Sequence, residues 1–122
     1  MGAGPAGLLL AQLLHLEGID SVIVERRSRE YAMERVRAGV LEQGTTDLLV
    51  EAGVGARMRR EGMRHGGIYL AFCGRRHYID FEALTGRAIT VYGQNEVVKD
   101  LIDARVATGH PLHFEADRKS VV

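Results

Sequence analysis

The chain has one cysteine, no net charge, no apolar run of membrane length and no repeated or low-complexity tract, and each absence removes a class of function. Cys73 alone cannot form an internal disulfide, which fits a reducing cytoplasm; a small, partly buried hydrophobe is expected there rather than a reactive thiol. Sixteen basic residues cancel sixteen acidic ones, so overall charge offers no argument for nucleic acid or an anionic membrane as partner. No stretch nears the roughly 20 apolar residues that cross a bilayer, and no basic-then-apolar leader opens the chain, so a soluble protein without a signal peptide is expected. Five histidines and the lone cysteine give no zinc spacing. Carboxylates such as Asp80 and Glu82 form no pair that sequence casts as acid and base. At 122 residues, 46% of them hydrophobic, the chain can bury one modest core.

What is present is concentrated at the start. Gly2-Ala3-Gly4-Pro5-Ala6-Gly7 opens a leucine-rich segment that Val22-Ile23-Val24-Glu25 closes, the pattern of a dinucleotide-binding fingerprint. Gly2 allows a tight turn, Gly4 lets the backbone approach a pyrophosphate, and Gly7 lets the helix pack closely on the sheet. The helix N-terminus then offers free N–H groups and a positive dipole end to an anion, and Pro5 suits its first turn. Glu25 ends the second strand eighteen positions after Gly7, near the roughly 20-residue spacing of an acid that accepts hydrogen bonds from an adenosine ribose. Only Met1 precedes Gly2, so the strand that normally anchors this loop is expected to be missing.

Further along, residues 8–16 are apolar on nearly every side, which predicts a buried helix stopped by Gly18, and residues 19–25 read as a buried parallel strand. His15 is expected at a solvent edge, having no second ligand at helical spacing. Arg26-Arg27-Ser28-Arg29-Glu30 forms a basic loop that either holds a nucleotide phosphate or is a solvated turn. Arg35-Val36-Arg37-Ala38-Gly39-Val40-Leu41-Glu42-Gln43-Gly44 mixes arginines with small residues, so backbone and guanidinium can approach one ligand together. Thr45 or Thr46 is expected to cap a helix over 47–52, and Arg57-Met58-Arg59-Arg60 to be the exposed face of another. Residues 67–72 and 76–81 suggest a hairpin around Cys73-Gly74-Arg75, and residues 89–92 a strand. Asn95 is expected to cap a helix to about 107, with Val98, Leu101, Ile102 and Arg105 in register and Gly109 as its stop; residues 112–116 make the next strand. The predicted fold is α/β: a partial Rossmann-like domain with a parallel sheet core, an antiparallel β insertion and the first strand missing.

The glycine fingerprint, the stretch Arg35 through Gly44, and Val91-Tyr92-Gly93-Gln94 together closely resemble the 4-hydroxybenzoate 3-monooxygenase family of class A flavoprotein monooxygenases, in order from Gly2 to about Ala116. The resemblance implies FAD in the fingerprint and NADPH as cosubstrate. It implies contacts from the positions of Ala6 and Glu25 to the adenosine half of FAD, beside the fingerprint glycines Gly2, Gly4 and Gly7 and the basic Arg26 as the candidate cofactor-binding residues. Arg35, Val36, Arg37, Ala38, Gly39 and Val40 would lie along the pyrophosphate and flavin, with Gln94 also touching FAD. Arg37 matches an arginine serving both FAD and NADPH, and His65 a histidine that passes a proton from the substrate phenol to solvent. The implied reaction is hydroxylation of 4-hydroxybenzoate beside its hydroxyl, with NADPH and oxygen, in a cytoplasmic homodimer. Ala6 replaces a serine of some members, and Gly86-Arg87-Ala88 looks one residue shorter than the family loop.

The resemblance ends near residue 116. Asp117-Arg118-Lys119-Ser120-Val121-Val122 matches the translation of a common sequencing adapter, so residues 1–116 are expected to be a partial FAD-binding domain and 117–122 a non-native tail. The substrate-binding sheet and dimer helices of the family would lie beyond the chain, leaving a fragment expected to be inactive alone. A stand-alone NAD(P)-binding module, with Arg26 and Arg27 favouring NADP, is the alternative; a non-enzymatic interaction fragment is the third reading.

Overall fold

The computed structural model describes residues 1–117, so of the expected tail only Asp117 falls among them and residues 118–122 lie outside the described residues. Helix α1 (Pro5–Leu16) starts with proline in its first turn, where no N–H is missed. Strand β1 (Ile23–Val24) follows, then α2 (Arg29–Glu34), β2 (Val40–Glu42), α3 (Gln43–Glu51), α4 (Ala56–Glu61) and β3 (Met63–His65). A hairpin of β4 (Gly67–Phe72) and β5 (Arg75–Asp80) leads to α5 (Phe81–Thr85), β6 (Ile89–Val91), α6 (Gln94–Thr108) and β7 (Leu112–His113).

The strands form a parallel pair and two antiparallel sheets, the α/β arrangement expected. In the parallel pair, Ile23 and Glu25 donate to the carbonyls of Pro111 and His113, and β1 lies in register with β7. On the opposite edge of β1, the Val24 N–H donates to the Met1 carbonyl at 2.7 Å and the Met1 amine to the Val22 carbonyl at 3.3 Å. This is a parallel ladder one residue long: Met1 stands where the expected strand would end. In the second sheet β6 is central, pairing antiparallel with β2 and β3. The β4–β5 hairpin turns at Cys73 and Gly74, both with positive φ (48° and 70°), the conformation a two-residue loop needs to match strand twist.

The core lies where α1 and α6 pack on β1. Leu8, Ile23, Leu101 and Ile102 are almost wholly buried, each worth about 1.5–3 kcal/mol by transfer from water. Arg105 is 3% exposed and clasps the start of β1 to the start of β7: its guanidinium donates to the Ser21 carbonyl, to Ser21 Oγ at 3.2 Å and to the Pro111 carbonyl at 3.1 Å. Burial lowers its pKa from the usual arginine range. With no carboxylate there, carbonyl dipoles carry the compensation.

Several expectations are corrected. α1 is helical but buries chiefly Leu8 and Ala11, while Leu10 and Leu16 are about half exposed, because only one face meets α6 and β1. The segment 19–25 alternates instead of being buried throughout: Ile23 is covered, Ile19, Val22 and Val24 are not. Cys73 is exposed, since the hairpin turn projects it outward. α3 begins at Gln43 rather than 47, and Thr46 bonds back to the Gln43 carbonyl inside it instead of capping. Gly93, not Asn95, precedes α6, and the Asn95 side chain turns to Glu96. Strand 112–116 shortens to Leu112–His113, although Glu115 and Ala116 still donate to the Arg27 and Glu25 carbonyls. The solvent-edge place expected for His15 stands: it is partly exposed, its ring edge-on to His110 at 5.2 Å.

Candidate functional site

The site begins where β1 ends and α1 starts. A Cβ on Gly7 would stand 2.1 Å from the Gly2 carbonyl oxygen, so only glycine lets the helix approach the turn this closely. Gly4 is the opposite case: a Cβ there meets nothing within 4 Å, and no side chain caps α1. The first-turn N–H groups are thus left without a side-chain acceptor at the dipole's positive end, a cradle suited to an anion. Glu25 braces the turn from the side. Its Oε2 accepts the Ala3 N–H at 3.1 Å and its Oε1 the Arg27 N–H at 3.0 Å, and each oxygen keeps capacity for another donor such as a ribose hydroxyl.

Beyond Glu25 the chain closes a cleft of about 140 Å³ lined by Glu25, Arg26, Arg27, Tyr31, Ala32 and Arg35. The basic loop is shorter than the sequence suggested, because the Ser28 hydroxyl accepts the Tyr31 N–H and starts α2. Arg27 and Arg35 both approach the Tyr31 ring, with their guanidinium carbons 5.1 and 5.7 Å from its centroid, which holds two cations at one aromatic side chain. Val36 and Arg37 are exposed and outside this cleft.

Ala38, Gly39 and Val40 are held from behind. The Gln94 N–H donates to the Ala38 carbonyl and the Tyr92 N–H to the Gly39 carbonyl, both at 2.9 Å, and Val40 pairs with Val91. A largely apolar cavity of about 300 Å³ brings Pro5 and Ala6 of the fingerprint together with Ala38, Leu41, Gln94 and Val97. His65, exposed at the end of β3, lines a separate concavity of about 700 Å³ with Val40, Tyr69 and Tyr78. Seven of the candidate residues and His65 thus fall along three hollows, Glu25 with Arg26 and Arg35, Ala6 with Ala38 and Gln94, and Val40 with His65, whereas Gly2, Gly4, Gly7, Val36, Arg37 and Gly39 line none of them.

Sequence reasoning missed Ala3, Tyr31 and Tyr92. Ala3 is 3% exposed and contributes through its backbone alone, and a backbone donor leaves no mark in residue type. Tyr31 was findable, since Ser28 is an N-cap residue and puts a helix where the basic loop was expected. Among the described residues no group of three histidines, cysteines or carboxylates is placed to hold a metal, and no helix is long and apolar enough to cross a membrane.

Comparison with known proteins agrees with this geometry. The FAD binding domain family matches residues 1–122. A p-hydroxybenzoate hydroxylase of Acinetobacter baylyi is 48% identical over 118 residues, which are 96% of this chain and 29% of that protein. Among solved structures, PqsL of Pseudomonas aeruginosa, in complex with 2-aminobenzoylacetate, superimposes with a TM-score of 0.84 at 20% identity over 93% of this chain and 32% of its own. The p-nitrophenol 4-monooxygenase PnpA of Pseudomonas putida gives a TM-score of 0.80 at 21% identity, covering 93% of this chain and 30% of that one. The last two establish likeness of fold. In each case the chain spans about a third of the relative or less.

Proposed function

The chain belongs to the FAD binding domain family, and from that premise we propose that it is the cofactor-holding part of a flavoprotein that converts 4-hydroxybenzoate to 3,4-dihydroxybenzoate with NADPH and O2. The observation that carries the proposal is the cavity joining Ala6 of the fingerprint to Ala38 and Gln94, because a nucleotide that used only the glycine turn would need neither of the last two. Residues 1–116 are assigned to this partial domain, and the complete protein to a cytoplasmic homodimer acting on a small aromatic acid.

The residues fit the group. The open N-terminus of α1 at Gly4 takes the pyrophosphate, and the free capacity of Glu25 takes the ribose hydroxyls. The backbone of Gly2, Ala6 and Gly7 keeps phosphate and helix in contact without a side chain between them. Arg26 and Arg35 offer charge at the nucleotide end, and Arg37, exposed and permanently protonated, is free to reach a phosphate of FAD or NADPH. Ala38 and Gln94 line the cavity next to the fingerprint and Val40 the next hollow toward the ring system, with Gly39 between them in the chain and Val36 on the exposed approach. FAD supplies electron transfer and oxygen activation when bound; the protein orients it and limits water around it. His65, exposed beside Val40's hollow, moves a proton through its ring nitrogens between that hollow and solvent.

The stand-alone NAD(P) module remains a second reading, favoured by the three arginines around Tyr31. Titration of the chain with FAD, read by flavin fluorescence, and with NADPH, read by thermal shift, separates the two. FAD binding that is lost in Glu25→Ala or Arg37→Ala supports the hydroxylase reading; NADPH binding with no FAD binding overturns it.

A further inference from the structure

Behind the cofactor-facing loop lies a polar cluster that nothing above uses. Tyr92 is 5% exposed and its hydroxyl donates to Asp100 Oδ2 at 2.6 Å. Asp100 Oδ1 accepts Arg57 Nε at 2.6 Å, and the rest of the Arg57 fork donates to Glu96 Oε2 at 2.6 Å and to the Glu96 carbonyl at 3.1 Å. The guanidinium also stands 5.5 Å from the centroid of the Tyr92 ring. One side chain of α4 therefore ties together the first turns of α6 and the end of β6. These charges are partly buried and fully hydrogen-bonded, an arrangement better suited to fixing one geometry than to adding stability.

The end of β6 is also what the cofactor loop hangs from. Tyr92 uses its backbone N–H on the Gly39 carbonyl while its hydroxyl is held by Asp100, and Gln94, two residues on, holds the Ala38 carbonyl. A shift of Tyr92 moves both bonds together. We propose that Arg57, Asp100 and Tyr92 are positioning residues for the cofactor site, setting where the backbone of Ala38 and Gly39 and the side chain of Gln94 stand. This rests on the FAD reading for what is bound, but the placement of the loop can be tested without it. A packing role alone would be met by phenylalanine at 92, which fills the same space; the hydroxyl matters only if Asp100 and Arg57 govern the position of the ring and its backbone. Burial and the bond to Asp100 keep the phenol protonated and hence a donor.

The test compares Tyr92→Phe and Asp100→Asn with Ile102→Val, a core change in the same helix away from the loop, in the full 122-residue chain. Amide hydrogen exchange at Tyr92 and Gln94 is followed by NMR well below the unfolding range, and FAD affinity by flavin fluorescence. Tyr92→Phe and Asp100→Asn are expected to speed exchange at those two amides and weaken FAD binding, each by about tenfold, whereas Ile102→Val leaves both near wild type at a comparable loss of Tm. Exchange or FAD affinity in the two variants equal to that of Ile102→Val overturns the inference. If the wild-type chain takes no FAD while the two amides still loosen selectively, the positioning role is supported and the FAD reading is what fails.

Discussion

Replacing Gly7 and Gly4 by alanine separates the two tasks of the glycine turn. At position 7 the new Cβ would stand 2.1 Å from the Gly2 carbonyl oxygen and 3.2 Å from its carbon. Real contacts stay beyond about 3 Å, so turn and helix must part by about 1 Å. The clashing atoms are all backbone, and no side chain can rotate away to relieve them. Separation also pulls on the Ala3 N–H that Glu25 accepts. Overpacking costs about 1–3 kcal/mol and loss of a charge-assisted bond about 1.5–3 kcal/mol, offset by about 0.5–1 kcal/mol from the better helix propensity of alanine. The strain and the bond are two routes to one relaxation and do not add in full, so the expected net loss is about 2–3 kcal/mol. For a chain of this size that is a Tm drop of about 8–15 °C. At position 4 the backbone (φ −82°, ψ 170°) suits any residue and the Cβ meets nothing, leaving only the poorer N-cap of alanine, about 0.5–1 kcal/mol. Gly4→Ala should therefore melt within about 5 °C of wild type yet lose nucleotide affinity, since its methyl stands in the phosphate approach. Thermal unfolding by circular dichroism with and without FAD checks both. A Gly7→Ala chain as stable as wild type, or a Gly4→Ala chain destabilised as much as Gly7→Ala, would refute the reasoning.

Three further outcomes are expected. The Tyr92 pKa is raised by burial and by its bond to Asp100, so its contribution is fully present below the ordinary value of about 10 and is lost as pH rises from there toward the folded value; stability-versus-pH curves from urea titrations should fall less steeply above pH 10 in Tyr92→Phe than in wild type. Arg105→Met should cost about 2–4 kcal/mol by leaving the Ser21 and Pro111 carbonyls without their donor, read as a lower urea midpoint; a neutral result would mean that water reaches them. Leu8→Ala should cost about 2–5 kcal/mol with an unchanged urea m-value, since Leu8 is 1% exposed between α1 and the sheet.

Much of this architecture is written in local chemistry. Pro5 and Gly18 bracket α1, the positive-φ pair at 73 and 74 marks the hairpin, and Val98, Leu101, Ile102 and Arg105, spaced for one helical face, are all buried. What sequence did not disclose depends on partners far away in the chain. α1 looks buried on every side because leucine does not say which face finds a neighbour. Arg57 reads as an exposed helix residue, yet its acceptors Glu96 and Asp100 lie 39 and 43 positions on, beyond any periodicity. Glu25 was legible from its distance to the glycines, while the Arg27–Tyr31–Arg35 cluster was not, because ring and guanidinium pair by geometry rather than by fixed spacing. Residues 40–42 read only as part of the stretch that approaches a ligand, and form β2 because Val91, Thr90 and Ile89 offer a ladder.

The pairing of β1 with β7 has a consequence for the order of events during synthesis. Ile23 and Leu112 are register partners, so 89 residues must be translated after Ile23 before its ladder can close. At about 5–20 residues per second that is roughly 4–18 seconds, during which the glycine turn and Glu25 have emerged from the ribosome but lack the strand that fixes them. A segment translated early is therefore among the last to be secured, and Leu8, Ala11 and Ile23 stay uncovered on the nascent polypeptide, available to chaperones, until α6 and β7 arrive.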